Sequence, residues 1–210
     1  MDLNIVSDSA NWNLILLILV GCSIIGFTVF IERLILLQRS EIDVNRLIIE
    51  MRRTIKDGDI MGAIEICDAT QGAVSQIVRA GLSKYNRKRS QVESAMEISS
   101  LVEIARLEKN AKILSIISHT APLIGLLGTV LGFIQAFSEM RLSGLVDISA
   151  TRIGEAMEYA LITTAAGLVV AIPSGIGYNY LVSRIENIVL EMQTCAAEVL
   201  DLLSSQEESM

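Results

Sequence analysis

Proline is almost missing from this chain: Pro122 and Pro173 are the two in 210 residues. Histidine occurs once, as His119, and aromatic residues make up 4% of the sequence. With one imidazole there is no His-based metal cluster. Nor does any nucleophile and base pair, metal-ligand spacing or phosphate-cradling glycine loop stand out, so the chain is not expected to be an enzyme or to need a cofactor. The three cysteines, Cys22, Cys67 and Cys195, form no Cys-x-x-Cys pattern and read as reduced structural residues. A net charge of −7 repels phosphate backbones, which excludes a nucleic-acid partner.

Charge itself is missing from three stretches, Ser9–Ile31, Ile113–Ser138 and Tyr159–Ser183. Each runs for roughly 23 to 26 residues, enough to cross a hydrocarbon core of about 30 Å. The hydrophobic fraction of 51% and mean hydropathy of +0.52 fit a chain whose natural solvent is a lipid bilayer. The fold class that follows is an all-α membrane protein with three transmembrane helices.

Positive charge fixes the orientation. No Lys or Arg precedes the first span, fourteen lie from Arg33 to Lys112, Arg141 and Arg152 lie between spans two and three, and Arg184 follows span three. The long basic segment belongs in the cytoplasm, so the N-terminus lies outside and the C-terminus inside. Asp2 and Asp8 at the start do not resemble the basic leader of a signal peptide, so the first span is expected to be retained. The segments are residues 1–11, periplasmic N-terminus; 12–31, span one; 32–112, cytoplasmic helical segment; 113–138, span two; 139–158, periplasmic loop; 159–183, span three; and 184–210, cytoplasmic helical tail. Trp12 and Glu32-Arg33 read as interfacial anchors.

The cytoplasmic segment reads as helices broken at Gly58, Gly62, Gly72 and Gly81. Ser90-Gln91-Val92-Glu93 has the spacing of a capping box. A helix begun there and uninterrupted from Gln91 through Ser138 is about 70 Å long, so its first half projects as a stalk. At the other end Ile185, Ile188, Met192, Cys195, Val199 and Leu202 recur at three- and four-residue steps, a heptad seam on a third helix expected from about Gly154 to Leu203. Helices two and three are therefore expected to extend together into a cytoplasmic helical stalk. Its acidic face is placed against Arg87-Lys88-Arg89.

Inside the membrane, spans two and three are rich in small residues. Gly125, Gly128 and Gly132 in span two, and Gly167, Ala171 and Pro173 in span three, are the expected packing positions, because small side chains let helices approach closely in lipid. The ordinary use of a threonine in such a helix is to bond a carbonyl one turn back. Yet Thr129 lies about 15 Å inside Glu139, and Thr164 about 9 Å inside Glu158, so antiparallel helices bring both hydroxyls near one layer. No carboxylate occupies the middle of a span. A proton conductor normally has one there, so if this chain moves protons the central titrating group has to come from another chain.

These residues carry a resemblance. Ala121-Pro122 with Gly125-Leu-Leu-Gly-Thr-Val-Leu-Gly132, then Ala160-Leu-Ile-Thr-Thr-Ala-Ala-Gly-Leu168 running into Ala171-Ile172-Pro173 and Tyr178-Asn179, resemble the ExbB/TolQ/MotA family of ion-driven motor stators, most closely its ExbB branch. Glu32-Arg33-Leu34 and the stretch from Gly58-Asp59 to Cys67 are similar to the family as well. The large cytoplasmic domain of flagellar stators is missing.

The resemblance implies a homopentamer in the bacterial inner membrane, surrounding the single spans of two ExbD/TolR-like chains. That partner carries the transmembrane Asp, and force passes to a TonB-like or TolA-like protein. It implies that Thr129 and Thr164 line the proton pathway. The family's usual Glu five residues before the second threonine is Tyr159 here, leaving Glu158 and Glu155 as neighbouring candidates for a polar outer mouth. The implied function is an ExbB-like subunit coupling proton flow to energised outer-membrane transport. The alternatives are a TolQ-like envelope-integrity or gliding motor subunit, or a non-conducting membrane scaffold.

Overall fold

The computed structural model describes residues 9–40, 44–70, 72–143 and 150–207. The expected periplasmic N-terminus up to residue 8 and the 144–149 stretch of the expected periplasmic loop lie outside the described residues. Seven helices occur among the described residues: α1 (Ser9–Ser40), α2 (Val44–Lys56), α3 (Ile60–Ala69), α4 (Ala73–Leu82), α5 (Arg89–Glu108), α6 (Ala111–Ser143) and α7 (Ala150–Glu207). Three of them, α1, α6 and α7, are long and apolar enough to cross a membrane.

The chain divides into two compact units. One takes in α1 as far as Ile31 and the chain from Asn110 to Asn179; the other runs from Glu32 to Lys109 and resumes at Tyr180.

In the first unit the interior is narrow. Ile15 and Leu19 of α1 meet Ile117 and Ala121 of α6 and Ala171 of α7. The outward positions of α1, including Leu14, Leu17, Ile24, Ile25 and Phe27, are exposed aliphatic and aromatic side chains, the pattern of a helix solvated by lipid. Gly26 and Gly177 let neighbours come close: a Cβ at Gly177 would sit 3.0 Å from the Phe30 ring.

The second unit is a bundle in which α2 packs on α3, α3 on α4 and α4 on α5. Its core holds Leu47, Met51 and Ile55 of α2, Cys67 of α3, Ile77, Val78 and Leu82 of α4, and Val92, Met96 and Leu107 of α5. The seam of α7 is buried at Ile185, Ile188, Met192, Cys195 and Val199. Its acidic face meets cations: Glu198 pairs with Arg52 of α2, and Asp201 lies 3.4 Å from Arg89. Arg89 is the part of the basic cluster that makes the expected contact.

Four local expectations are corrected. The helix expected from Gln91 through Ser138 is broken between Glu108 and Ala111, where Asn110 takes φ 63°. Asparagine is one of the few residues besides glycine that visit the left-handed region readily, so the break is encoded at that position. The capping box does not form as such. α5 starts at Arg89, one residue before Ser90; its N-cap Lys88 has no side-chain cap bond, and the Lys88 carbonyl accepts the Gln91 amide at 2.7 Å. Gly58 does turn the chain, at φ 79°, but Gly62 and Gly81 lie inside α3 and α4. At Gly81 the requirement is room, since a Cβ there would fall 2.6 Å from Met96 Sδ.

The fourth correction concerns Arg33. Instead of snorkelling to a surface it is 4% exposed, and its Nη1 donates to the Arg106 carbonyl at 3.4 Å. That carbonyl lies in the last turn of α5, just before the helix break.

Candidate functional site: the crossing of the two small-residue helices

α6 and α7 meet within the first unit on surfaces stripped of side-chain bulk. The buried stripe of α7 is Ala156, Ala160, Thr163, Gly167 and Ala171, spaced by three and four residues as one helical face requires. Against it α6 sets Ala121, Gly125, Gly128 and Gly132, all buried. A Cβ at Gly167 would lie 2.7 Å from the Ala121 carbonyl oxygen, and one at Gly125 would lie 2.9 Å from that of Thr163. Both are backbone atoms, so these two glycines bring main chain against main chain. Gly128 instead faces the Thr163 side chain.

The polar groups at this crossing are three threonines. Thr164 Oγ1 donates across the helices to the Gly125 carbonyl at 3.1 Å. By helix geometry that carbonyl also accepts the Thr129 amide, so Thr164 meets α6 at the hydrogen bond one turn below Thr129. Thr129 Oγ1 itself donates to the Leu126 carbonyl at 2.7 Å, the ordinary local use of a threonine. The two expected pathway residues therefore differ: Thr164 is spent on an interhelical contact and Thr129 on its own helix.

Thr163 is the group to which the sequence reading gave no role. It is 1% exposed, with Oγ1 bonded to the Ala160 carbonyl at 2.8 Å. The Thr163-Thr164 doublet was visible, but its phase was not. A shift of one residue turns a side chain by about 100°, and the stripe centres on Thr163.

Other expected positions are dispersed. Glu155 and Glu158 are exposed and Tyr159 is 49% exposed, all outside the buried crossing. Pro173, expected at a packing face, is exposed, whereas Ala171 is buried. His119 Nδ1 lies 2.7 Å from the Ser115 carbonyl on its own helix. No group of His, Cys, Asp or Glu side chains among the described residues is arranged to hold a metal.

Two long apolar helices that cross on glycine and threonine, beside a third of similar apolarity, define a helical membrane protein with three candidate spans. The model of the MotA/TolQ/ExbB proton channel family matches residues 69–194, including the whole of this crossing, and the chain belongs to that family. It is 29% identical to the biopolymer transport protein ExbB of Neisseria meningitidis over the full length of both chains. It is 30% identical to an ExbB homolog of Methanothermobacter thermautotrophicus over 81% of this chain and 60% of that one. A Tol-Pal system protein TolQ of Pseudomonas aeruginosa is 32% identical over 62% of this chain and 60% of its own. The chain thus spans about six-tenths of the length of some relatives and all of others. It is a membrane protein of a family found in the bacterial inner membrane, with three candidate spans.

Proposed function

We propose that this chain is the ring-forming subunit of an inner-membrane, proton-driven motor of the ExbB type. Five copies enclose the single spans of two ExbD/TolR-like chains, and proton flow drives biopolymer transport at the outer membrane through a TonB-like partner. The N-terminus lies in the periplasm and the C-terminus in the cytoplasm.

The observation that carries this reading is a mismatch. A chain of a proton-channel family has a hydroxyl-bearing crossing between two spans, yet neither Ile113–Ser138 nor Tyr159–Ser183 contains an Asp or Glu. Hydroxyls solvate a carboxylate but do not ionise at neutral pH. His119, the one titratable side chain in these two stretches apart from tyrosine, is bonded to the Ser115 carbonyl of its own helix away from the crossing, so the central titrating group belongs to a partner. An Asp on that partner, held in an apolar ring, has its pKa raised and takes up a proton from the outer side. Turned to an inward exit it releases the proton. Thr164 and Thr129 lower the cost of the ionised state by donating to it as it passes, each exchanging a backbone acceptor for the carboxylate. Each proton moving down 100 mV supplies about 2.3 kcal/mol from potential alone, which biases rotation of one component against the other. Glu158, Glu155 and Tyr159 stand nearest the outer mouth in this scheme.

A TolQ-like role in envelope integrity, or a gliding motor, uses the same ring with other partners, and the 32% identity to a TolQ supports that second reading. Purification through a tag on this chain from its native membrane, followed by native mass spectrometry, tests the proposal. Five copies with two copies of a single-span protein bearing a transmembrane Asp are expected, and the partner's periplasmic domain distinguishes the two pathways. A stable oligomer without such a partner would leave a non-conducting scaffold.

A further inference from the structure

The second unit has a helix that is apolar on both sides. α5 buries Val92, Met96 and Leu107 in the bundle. At 100° per residue the opposite face carries Ile98, Leu101 and Val102, which are 61%, 62% and 61% exposed. A lone exposed aliphatic residue is unremarkable, but three adjoining on one face form a patch. A helix apolar on opposed faces is built to be covered on both.

Lipid is a poor cover for this face. α5 carries Glu93, Glu97, Glu103 and Glu108 against Arg89 and Arg106, and an acidic helix is repelled by an anionic inner leaflet. A complementary surface lies on the same unit. α2 exposes Ile49 to 69%, next to Arg53 and Lys56 on the same face. Among the described residues neither cation makes an ion pair in the chain, and neither does Glu97 at the edge of the α5 patch. Both surfaces are exposed in one chain, so they do not cover each other within it.

We infer that the Ile98-Leu101-Val102 face of α5 is covered by a second copy of this chain, which contributes the Ile49-Arg53-Lys56 face of its α2. Such a contact joins two different faces, so it is heterologous, and repetition around an axis closes a ring. The inference rests on the ring reading above and adds to it an interface outside the spans. Glu97 meets the basic edge of the neighbouring α2 while the aliphatic side chains meet Ile49.

The test places the photoreactive residue p-benzoylphenylalanine at Leu101, and separately at Ile98, in the full chain in its native membrane. Both positions are exposed, so the bulky replacement does not disturb the core. Irradiation is expected to yield adducts of two copies of this chain, attached within Val44–Lys56. The yield is expected to fall several-fold in Arg53→Glu with Lys56→Glu, and to recover when Glu97→Lys is added. Attachment to lipid, to a different protein, or to α5 of the second copy overturns the inference, as does the absence of adducts while native mass spectrometry still counts five copies. A chain that forms no ring in the unmodified protein overturns the ring reading, and this contact with it.

Discussion

Thr164 Oγ1 donates to the Gly125 carbonyl at 3.1 Å, across two helices whose main chains are in contact. Close approach explains the bond: with no side chain on Gly125, a hydroxyl from the facing helix reaches a backbone oxygen directly. In membrane proteins such bonds average about 0.6 kcal/mol, with a maximum near 1.7. Thr164 therefore contributes little to holding the helices together, and its hydroxyl is free to change acceptors at small cost.

The glycines at the crossing are expected to differ. Gly125→Ala and Gly167→Ala place a methyl against backbone oxygens, which forces the helices apart at a cost of about 1–3 kcal/mol. Gly128→Ala meets the Thr163 side chain, so pairing it with Thr163→Ala restores room. Thermal unfolding in detergent checks this: the first two variants lose stability in any background, whereas the Gly128 defect is relieved in the double variant. Equal, unrelieved losses at all three positions would contradict the packing described.

Arg33 anchors the end of α5. Its guanidinium is buried, with Nε lacking a partner and Nη2 3.4 Å from Glu32. Arg33→Ala removes a charge-assisted bond to the Arg106 carbonyl and is expected to cost about 1.5 kcal/mol or more. Hydrogen exchange near the α5 C-terminus should quicken before the rest of the bundle does. By contrast Arg89→Ala, which breaks a pair of exposed side chains with Asp201, is expected to change stability by less than about 1 kcal/mol.

The bundle is expected to lose stability in alkali. Burial, then the Asp68 charge, pushes the Cys67 thiol up to about 11 from its ordinary 9.0. Burial, then the Glu198 charge, pushes Cys195 up to about 12. Below pH 9 the thiols are protonated folded or unfolded, so their full stabilisation is present. As pH rises past 9 the unfolded chain releases these protons while the fold still holds them, and stability falls toward pH 11 and beyond. A thermal midpoint flat from pH 7 to about 8.5 and declining above 9 is expected, with a weaker decline in Cys67→Ala/Cys195→Ala. An identical decline in that variant would assign the effect elsewhere.

The spans were legible because lipid imposes a coarse rule: a stretch without charge long enough to cross the bilayer is visible at a glance. The α7 seam was legible for a similar reason, its period holding from Ile185 to Val199. Two features were not. The break at Asn110 depends on one backbone dihedral in a sequence that otherwise suits a helix. The burial of Arg33 goes with a contact to a carbonyl 73 residues away, which no local pattern in the sequence reveals. At the crossing, composition revealed small residues and threonines but not their phase, so Thr163 and Thr164 were distinguishable only once the helices were set against each other.

The central claim is that Thr164 serves ion passage rather than assembly. The most direct test is proton uptake by liposomes that contain the complete complex with its Asp-bearing partner, comparing the native chain with Thr164→Val and Thr164→Ser. The account predicts an intact ring by native mass spectrometry in all three, proton flux lost in the Val variant and largely kept in the Ser variant. Full flux through the Val complex would contradict it.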